Sequence, residues 1–229
     1  MIVYGKQIFL YILKHKPSII KKVILAKELD KKLFHQIKNS IQQNIKIEKV
    51  DNKKAQSLAH GGNHQGLLLD IKFENNYTLK DTKEDNFILL LDNITDMGNI
   101  GAIFRSAYAL GVDSIIICGI SNLKLDTIIR TSSGSALDMK FVSYKNSAQA
   151  VSELKQAGFC AYGSSFDGIS LKNISKSNKT LLIMGNENSG ISNKVLKQCD
   201  KKVKIDMKHN FDSLNVSAAA AILIYGLIQ

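Results

Sequence analysis

Three short stretches of the chain place polar side chains between glycines or at a helix start, each just beyond an apolar run. The first, DNITDMGNIGAIFRSA (92–107), follows FILLL (87–91) and carries Gly98, Asn99, Gly101 and Arg105. The second, LLIMGNENSGIS (181–192), is a strand of the fully buried type followed by Gly185, Glu187 and Gly190. The third, KIDMKHNFDSLNVSAAAA (204–221), enters an alanine-rich helix through Ser213, Leu214, Asn215, Val216 and Ser217. Arg105 stands out chemically, because the chain has 31 basic residues and only Arg105 and Arg130 are arginines. A guanidinium holds two oxygens in one plane, whereas an ammonium is a point charge on a flexible stem. Each stretch also has a plain structural account: glycines for tight turns, Ser213 or Asn215 as a helix cap, Glu187 as a solvated turn residue. Gly98-Asn-Ile-Gly101 is not Gly-x-Gly-x-x-Gly, and no Gly-Lys-Ser/Thr follows it. The dinucleotide and P-loop readings therefore fail on spacing.

The elements that must position these residues alternate between strand and helix. In the first third, helical periodicity runs over 6–16 and stops near Pro17, the only proline. A strand is expected at 21–29, a helix at 30–40 capped by Asp30, a strand at 44–50, a helix at 51–59 and a strand at 64–73 after the Gly61-Gly62 turn. Residues 74–86 are polar, turn-rich and without apolar period, which makes 73–85 the linker candidate. Further strands are expected at 87–91, 114–118, 141–142, 159–162, 181–184 and 202–205. Helices are expected at 100–110, 148–157, 193–198 and from about Ser213 onward. Strand–helix alternation favours an α/β fold with a mainly parallel sheet, whose ligands lie beyond the carboxyl ends of the strands.

Composition narrows the class. The 229 residues are 45% hydrophobic, enough for a packed core. Lys6, Lys14 and Lys16 interrupt the first apolar stretch, so no secretory leader is expected. The run 216–228 is too short to span a bilayer, so no membrane partner is expected. Cys118, Cys160 and Cys199 lack metal spacing and read as reduced thiols of a cytoplasmic protein. The net charge of +11 is uneven: residues 1–72 hold 14 lysines against five acids, a balance of +9. A lysine-rich first third points to a polyanionic partner such as nucleic acid, or to a lysine-biased solvated surface.

Taken together, the Asn-x-Gly-(three residues)-Arg spacing, Gly-x-Glu and Ser-Leu-Asn-Val-Ser resemble the three motifs of the SpoU branch of the SPOUT methyltransferases. The resemblance covers most of 87–229. The first segment, with Tyr4-Gly5 and His64-Gln-Gly66, resembles the L30e-like substrate-binding domain of the family's ribosomal RNA guanosine 2′-O-methyltransferases. It implies domains at 1–72 and 86–229, a C-terminal trefoil knot, S-adenosylmethionine as methyl donor without a metal, an RNA ribose 2′-hydroxyl as acceptor, and a homodimer. By position it assigns catalysis to Arg105, Asn99, Glu187, Ser213 and Asn215, and cofactor contacts to Gly185, Ile205, Leu214 and Ser164. A guanidinium is a poor base and a better cationic fork for a phosphate oxygen or a developing alkoxide, and Arg105 is read in that role. His64, Gln65 and Arg130 are candidate RNA contacts, each with an equal structural alternative. Met97, Asp206 and His209 depart from the motifs, replacing two prolines' stiffness and a glycine's freedom. The alternatives are a transfer-RNA ribose methyltransferase and a non-catalytic RNA-binding protein with a decayed site.

Overall fold

The computed structural model describes residues 1–41, 45–209 and 213–228, so residues 210–212 of the third stretch lie outside the described residues. The chain folds as two compact units. One comprises 1–74 and 124–137, the other 75–123 and 138–229. Segment 124–137 thus belongs to the first unit, although it lies in the sequence interval expected to be one methyltransferase domain.

The first unit runs β1 (Ile2–Tyr4), α1 (Lys6–His15), β2 (Ile20–Ala26), α2 (Lys31–Ser40), β3 (Lys46–Val50), α3 (Asn52–Leu58) and β4 (Leu67–Ile71). Its sheet has the order β1-β4-β2-β3. β2 and β3 are parallel, while β4 is antiparallel to both β1 and β2. Caps fix the helix starts: Asp30 accepts the Leu33 N–H and Asp51 the Lys54 N–H. One sheet face buries Ile24, Ala26, Val50 and Leu68 against Ala55 and Ala59.

The second unit begins with a 3-10 turn at Leu79–Thr82 inside the segment read as a linker, closed by a Thr78–Asp81 capping box. Leu79 joins the core of this unit, and Lys140 pairs with Asp85 at 2.5 Å. Then come β5 (Phe87–Asp92), α4 (Met97–Leu110) and β6 (Ser114–Cys118). The chain leaves for the first unit, where it forms α5 (Leu125–Thr131), and returns for β7 (Lys140–Tyr144), α6 (Ser147–Gln156), β8 (Cys160–Ser170), β9 (Thr180–Gly185), α7 (Asn193–Leu196), β10 (Lys201–Lys204) and α8 (Val216–Ile228).

The second sheet has the order β10-β8-β9-β5-β6-β7, and every pair is parallel. β5, β6 and β9 are buried along their whole length, as their unbroken apolar runs require. The connection after β5 leads one way, to β6, and the connection after β9 leads the other way, toward β10. These loops part above adjacent strands, and such a switch point is where open α/β sheets hold ligands. α4 and α8 pack on each other, and their buried residues include Ile100, Ile103, Phe104 and Ala107 of one helix and Ala220, Leu223, Ile224 and Leu227 of the other. No helix among the described residues is long and apolar enough to cross a membrane.

Candidate active site

Asp92 ends β5 and stands opposite Gly185, the last residue of β9, so the first two stretches start at one level of the sheet. Asp92 is fully buried. One carboxylate oxygen accepts from Ser147 Oγ at 2.6 Å and Asn93 Nδ2 at 2.8 Å, and the other from the Ser192 N–H at 2.8 Å. A buried carboxylate is tolerated when donors satisfy it, and these three tie α6 and the exit of the second stretch to β5. Asn93, in the left-handed region at φ 59°, receives a hydrogen bond from Asn186 Nδ2 at 3.1 Å through its carbonyl.

The Glu187 loop is a tight turn closed by two backbone bonds between Asn186 and Gly190, at 3.1 and 2.8 Å. Gly185 is required because the returning chain lies on it. A Cβ there would sit 2.1 Å from the Gly190 carbonyl carbon and 2.2 Å from the Ile191 nitrogen. Glu187 is therefore held, exposed, at the turn's tip.

α4 begins at Met97, three residues earlier than the sequence periodicity suggests, because Asp96 caps it by accepting the Asn99 N–H at 2.6 Å. This puts Asn99 in the first turn. Its Nδ2 donates to Glu187 Oε1 at 2.6 Å, and its Oδ1 accepts from Asn215 Nδ2 at 3.0 Å. Asn215 caps α8, its Oδ1 accepting from the Ser217 N–H at 2.9 Å and Ser217 Oγ at 2.6 Å. The polarity of the relay is fixed from one end. A carboxylate only accepts, so Asn99 turns its amide nitrogen to Glu187 and its oxygen to Asn215.

Among the expected catalytic residues, the structure brings together Asn99, Glu187 and Asn215. Arg105 is exposed on α4, about 9 Å along the axis from Asn99 and about a third of a turn off its face. Among the described residues no acidic side chain pairs with it. Ser213 is exposed and outside the relay, and Asn215, not Ser213, is the helix cap. Of the expected cofactor residues, Gly185 ends β9, Ile205 directly follows β10, Ser164 lies in the middle of β8 just past its pairing with β9, and Leu214 precedes the cap of α8. Among the described residues no loop bond occupies the backbone of Ile205 or Leu214. A separate cavity of about 610 Å³, lined by Asn93, Gly119, Tyr144, Lys145, Asn146, Ser147 and Gln149, opens on the β6–β7 side, and none of the four lines it.

The motif departures are accommodated. Asp206 accepts from Ser170 Oγ at 2.5 Å, a side-chain tie in place of proline's stiffness. His209 takes the left-handed conformation, at φ 59°, that a glycine would adopt without strain. Burial, and then the neighbouring Asp92 carboxylate, push the Cys118 thiol up to about 12, so this cysteine is inert at neutral pH. Among the described residues no three His, Cys, Asp or Glu side chains converge as metal ligands would.

Two RNA-contact expectations meet structural uses. His64 is buried, and its Nδ1 accepts the Gly66 N–H at 3.0 Å. Gln65 Oε1 accepts the Lys6 N–H at 3.0 Å, holding the start of α1. Sequence reasoning missed Asp92. Its one signal is a single acid directly after an apolar strand, where a buried acceptor can organise the loops.

Residues 86–225 match the SpoU rRNA Methylase family, and residues 2–77 match the RNA 2′-O ribose methyltransferase substrate-binding family. An uncharacterized tRNA/rRNA methyltransferase of Borreliella burgdorferi is 32% identical over 198 residues, 80% of this chain and 87% of that protein. The 23S rRNA (guanosine-2′-O-)-methyltransferase RlmB of Neisseria meningitidis is 28% identical over 214 residues, 90% and 86% of the two chains. Among solved structures, the SpoU methyltransferase AviRb of Streptomyces viridochromogenes, in complex with AdoMet, shares the fold. Its TM-score is 0.78 at 23% identity, covering 100% of this chain and 89% of that one.

Proposed function

The chain belongs to the SpoU rRNA methylase family, and from that membership we propose that it methylates a ribose 2′-hydroxyl of RNA, with S-adenosylmethionine as donor and a guanosine of 23S ribosomal RNA as acceptor. The observation that carries this reading is the Glu187–Asn99–Asn215 relay, which joins one side chain from each of the three stretches. The guanosine acceptor takes its support from the similarity to the Neisseria enzyme.

The donor set suits a cofactor of this kind. Ile205 and Leu214 offer backbone amides and carbonyls, Leu214 adds exposed apolar surface, and Gly185 ends the strand between them and β5. When bound, S-adenosylmethionine supplies a methyl group already activated by its sulfonium charge, so the protein's work is alignment and management of the hydroxyl proton. Glu187, oriented by Asn99, offers its second carboxylate oxygen as an acceptor for an incoming hydroxyl or amine. Asn215 fixes Asn99 while capping α8, so the relay is rigid at both ends. Arg105 is a cationic fork for an RNA phosphate or for negative charge growing on the ribose oxygen.

The first unit supplies RNA affinity through its lysine excess. The second supplies a homodimer face. Tyr108 of α4 and Ile222, Tyr225 and Ile228 of α8 are exposed apolar side chains on two packed helices, with Tyr225 55% exposed. Arg105 lies one turn from Tyr108 on the same side of α4, so a second copy seated there would enclose it. The free cysteines suit a cytoplasmic setting.

The test is incubation of the protein with methyl-labelled S-adenosylmethionine and separate pools of 23S ribosomal RNA and transfer RNA, followed by nucleoside analysis. Labelled 2′-O-methylguanosine from the ribosomal pool supports the proposal. Label confined to transfer RNA would reassign the substrate, and no label in either pool would remove the catalytic reading. Sedimentation at micromolar concentration tests the dimer, and a monomer that still methylates RNA would end that part.

A further inference from the structure

Segment 124–137 is encoded between two strands of the second unit but folds into the first. α5 packs on β1, with Ile128 and Ile129 buried. This carries Arg130 over the ring of Tyr4, with the guanidinium carbon 5.1 Å from the ring centroid. The Tyr4 phenol is itself closed against Gly62, where a Cβ would lie 2.2 Å from its oxygen. The Tyr4 ring thus lies against Gly62 and carries the Arg130 guanidinium over its face. Among the described residues no acidic side chain pairs with Arg130.

Beside this stack runs a turn rich in left-handed backbone: His60 at φ 48°, Gly61 at 79°, Gln65 at 52° and Gly66 at 76°. A Cβ at Gly61 would meet nothing within 4 Å, so the turn is open on that side. A guanidinium that no acid among the described residues pairs with, held on an aromatic ring next to open glycine backbone in a lysine-rich unit, is suited to bind an oxyanion. A brace that merely pinned α5 to β1 would work as well with an acid beside the cation, and none among the described residues pairs with it.

We propose that Arg130 is a phosphate clamp for the RNA backbone, with Tyr4 as the residue that positions its fork. The binding surface of the first unit is then composite, and its clamp is delivered by the methyltransferase half of the sequence. The proposal rests on the RNA methyltransferase reading above. It also assigns different duties to the two arginines: Arg105 serves the reacting nucleotide and Arg130 serves the grip on the chain.

The experiment uses the full chain and compares Arg130→Met, Arg130→Lys and Tyr4→Leu with the parent. RNA affinity is measured across a salt series, together with S-adenosylmethionine affinity and thermal stability. Loss of one phosphate contact should flatten the log–log salt slope by about 0.7 for single-stranded RNA in Arg130→Met. Arg130→Lys should keep most of the slope while weakening binding about threefold, since charge remains and the fork is lost. Tyr4→Leu should weaken binding similarly. Cofactor affinity should be unchanged in all three. An unchanged salt slope in Arg130→Met, in a protein whose parent methylates RNA, would overturn the clamp and leave the enzymatic reading intact. A drop in melting temperature with no change in RNA binding in Arg130→Lys and Tyr4→Leu would likewise reduce Arg130 to a brace. A parent that binds and methylates no RNA would remove both.

Discussion

Asn99 donates to Glu187 at 2.6 Å across 88 residues of chain, and the other edge of the same amide accepts from Asn215 at 3.0 Å across 116. One side chain therefore locks the loops after β5 and β9 to the start of α8. Asn215 has two duties that substitution can separate. Asn215→Asp keeps an acceptor for the Ser217 N–H but loses the donor to Asn99, and a carboxylate there competes with Glu187 for the Asn99 N–H. Asn215→Ala loses cap and donor together. The aspartate variant should keep parent stability and methylate at least about tenfold more slowly. The alanine variant should be equally slow and lose about 1 kcal/mol of stability, the usual worth of a cap. Single-turnover methylation and denaturant melts read the two effects. A parent-like rate in the aspartate variant would mean that the relay only holds loops.

Arg105→Lys tests geometry against charge. Among the described residues no acid pairs with Arg105, and so none of them forms a helix-steadying ion pair with it. Lysine keeps the charge and good helix propensity, so fold and cofactor affinity should persist. The single-turnover rate on saturating RNA should fall at least about 100-fold, roughly 2.7 kcal/mol of transition-state stabilisation. A lysine variant within a few-fold of the parent would show that charge alone suffices.

How much of this was legible before the structure follows from what each element needs. Asp30 as the α2 cap, Ser114–Cys118 as a strand and the halt of α1 before Pro17 depend on neighbours in sequence, and all three stand as read. β1 was missed because three residues are too few to show a period of two. The residue types of the relay were legible, but their meeting was not, since it depends on β9 inserting beside β5. α5 was not legible as part of the first unit. Ile128 and Ile129 report that the helix has a buried face, and nothing in their spacing says which body covers it. For His64 the sequence leaves an RNA contact and a structural strand start equally open, and the structure shows its buried ring accepting a backbone N–H beside the left-handed turn at 65–66.

The placement of α5 gives a prediction about dissection. A fragment spanning 86–229 keeps segment 124–137 but loses β1, Tyr4 and Tyr11. In the full chain the Tyr11 ring lies against Gly134, where a Cβ would come within 2.4 Å of it. Buried Ile128 and Ile129 would then face water, at about 1.5–3 kcal/mol for each side chain fully exposed. Hydrogen exchange should show protection through 125–137 in the full chain and its loss in the fragment, while β5, β6 and β9 stay protected in both. Equal protection in the fragment would mean that the segment is stable without the first unit.

The last prediction concerns the turn that presents Glu187. Gly185 and Gly190 are both glycines of the second stretch, but for different reasons, and alanine should separate them. At Gly185 a Cβ would lie 2.1 Å from the Gly190 carbonyl carbon, and backbone cannot yield as a side-chain tip can. Gly185→Ala must push the returning chain away, opening the Asn186–Gly190 bonds and carrying Glu187 beyond the 2.6 Å reach of Asn99. At Gly190 a Cβ meets nothing within 4 Å, and the only obstacle is its φ of 65°. Gly190→Ala should therefore cost about 1–2 kcal/mol of backbone strain and leave Glu187 in place. Gly185→Ala should destabilise by a similar or larger amount, about 1–3 kcal/mol for the steric insertion. The distinguishing readout is catalytic. Measured well below both melting temperatures, Gly190→Ala should methylate within a few-fold of the parent and Gly185→Ala at least about 100-fold more slowly. If the two variants lose activity in proportion to their lost stability alone, the turn has no separate role in placing the carboxylate.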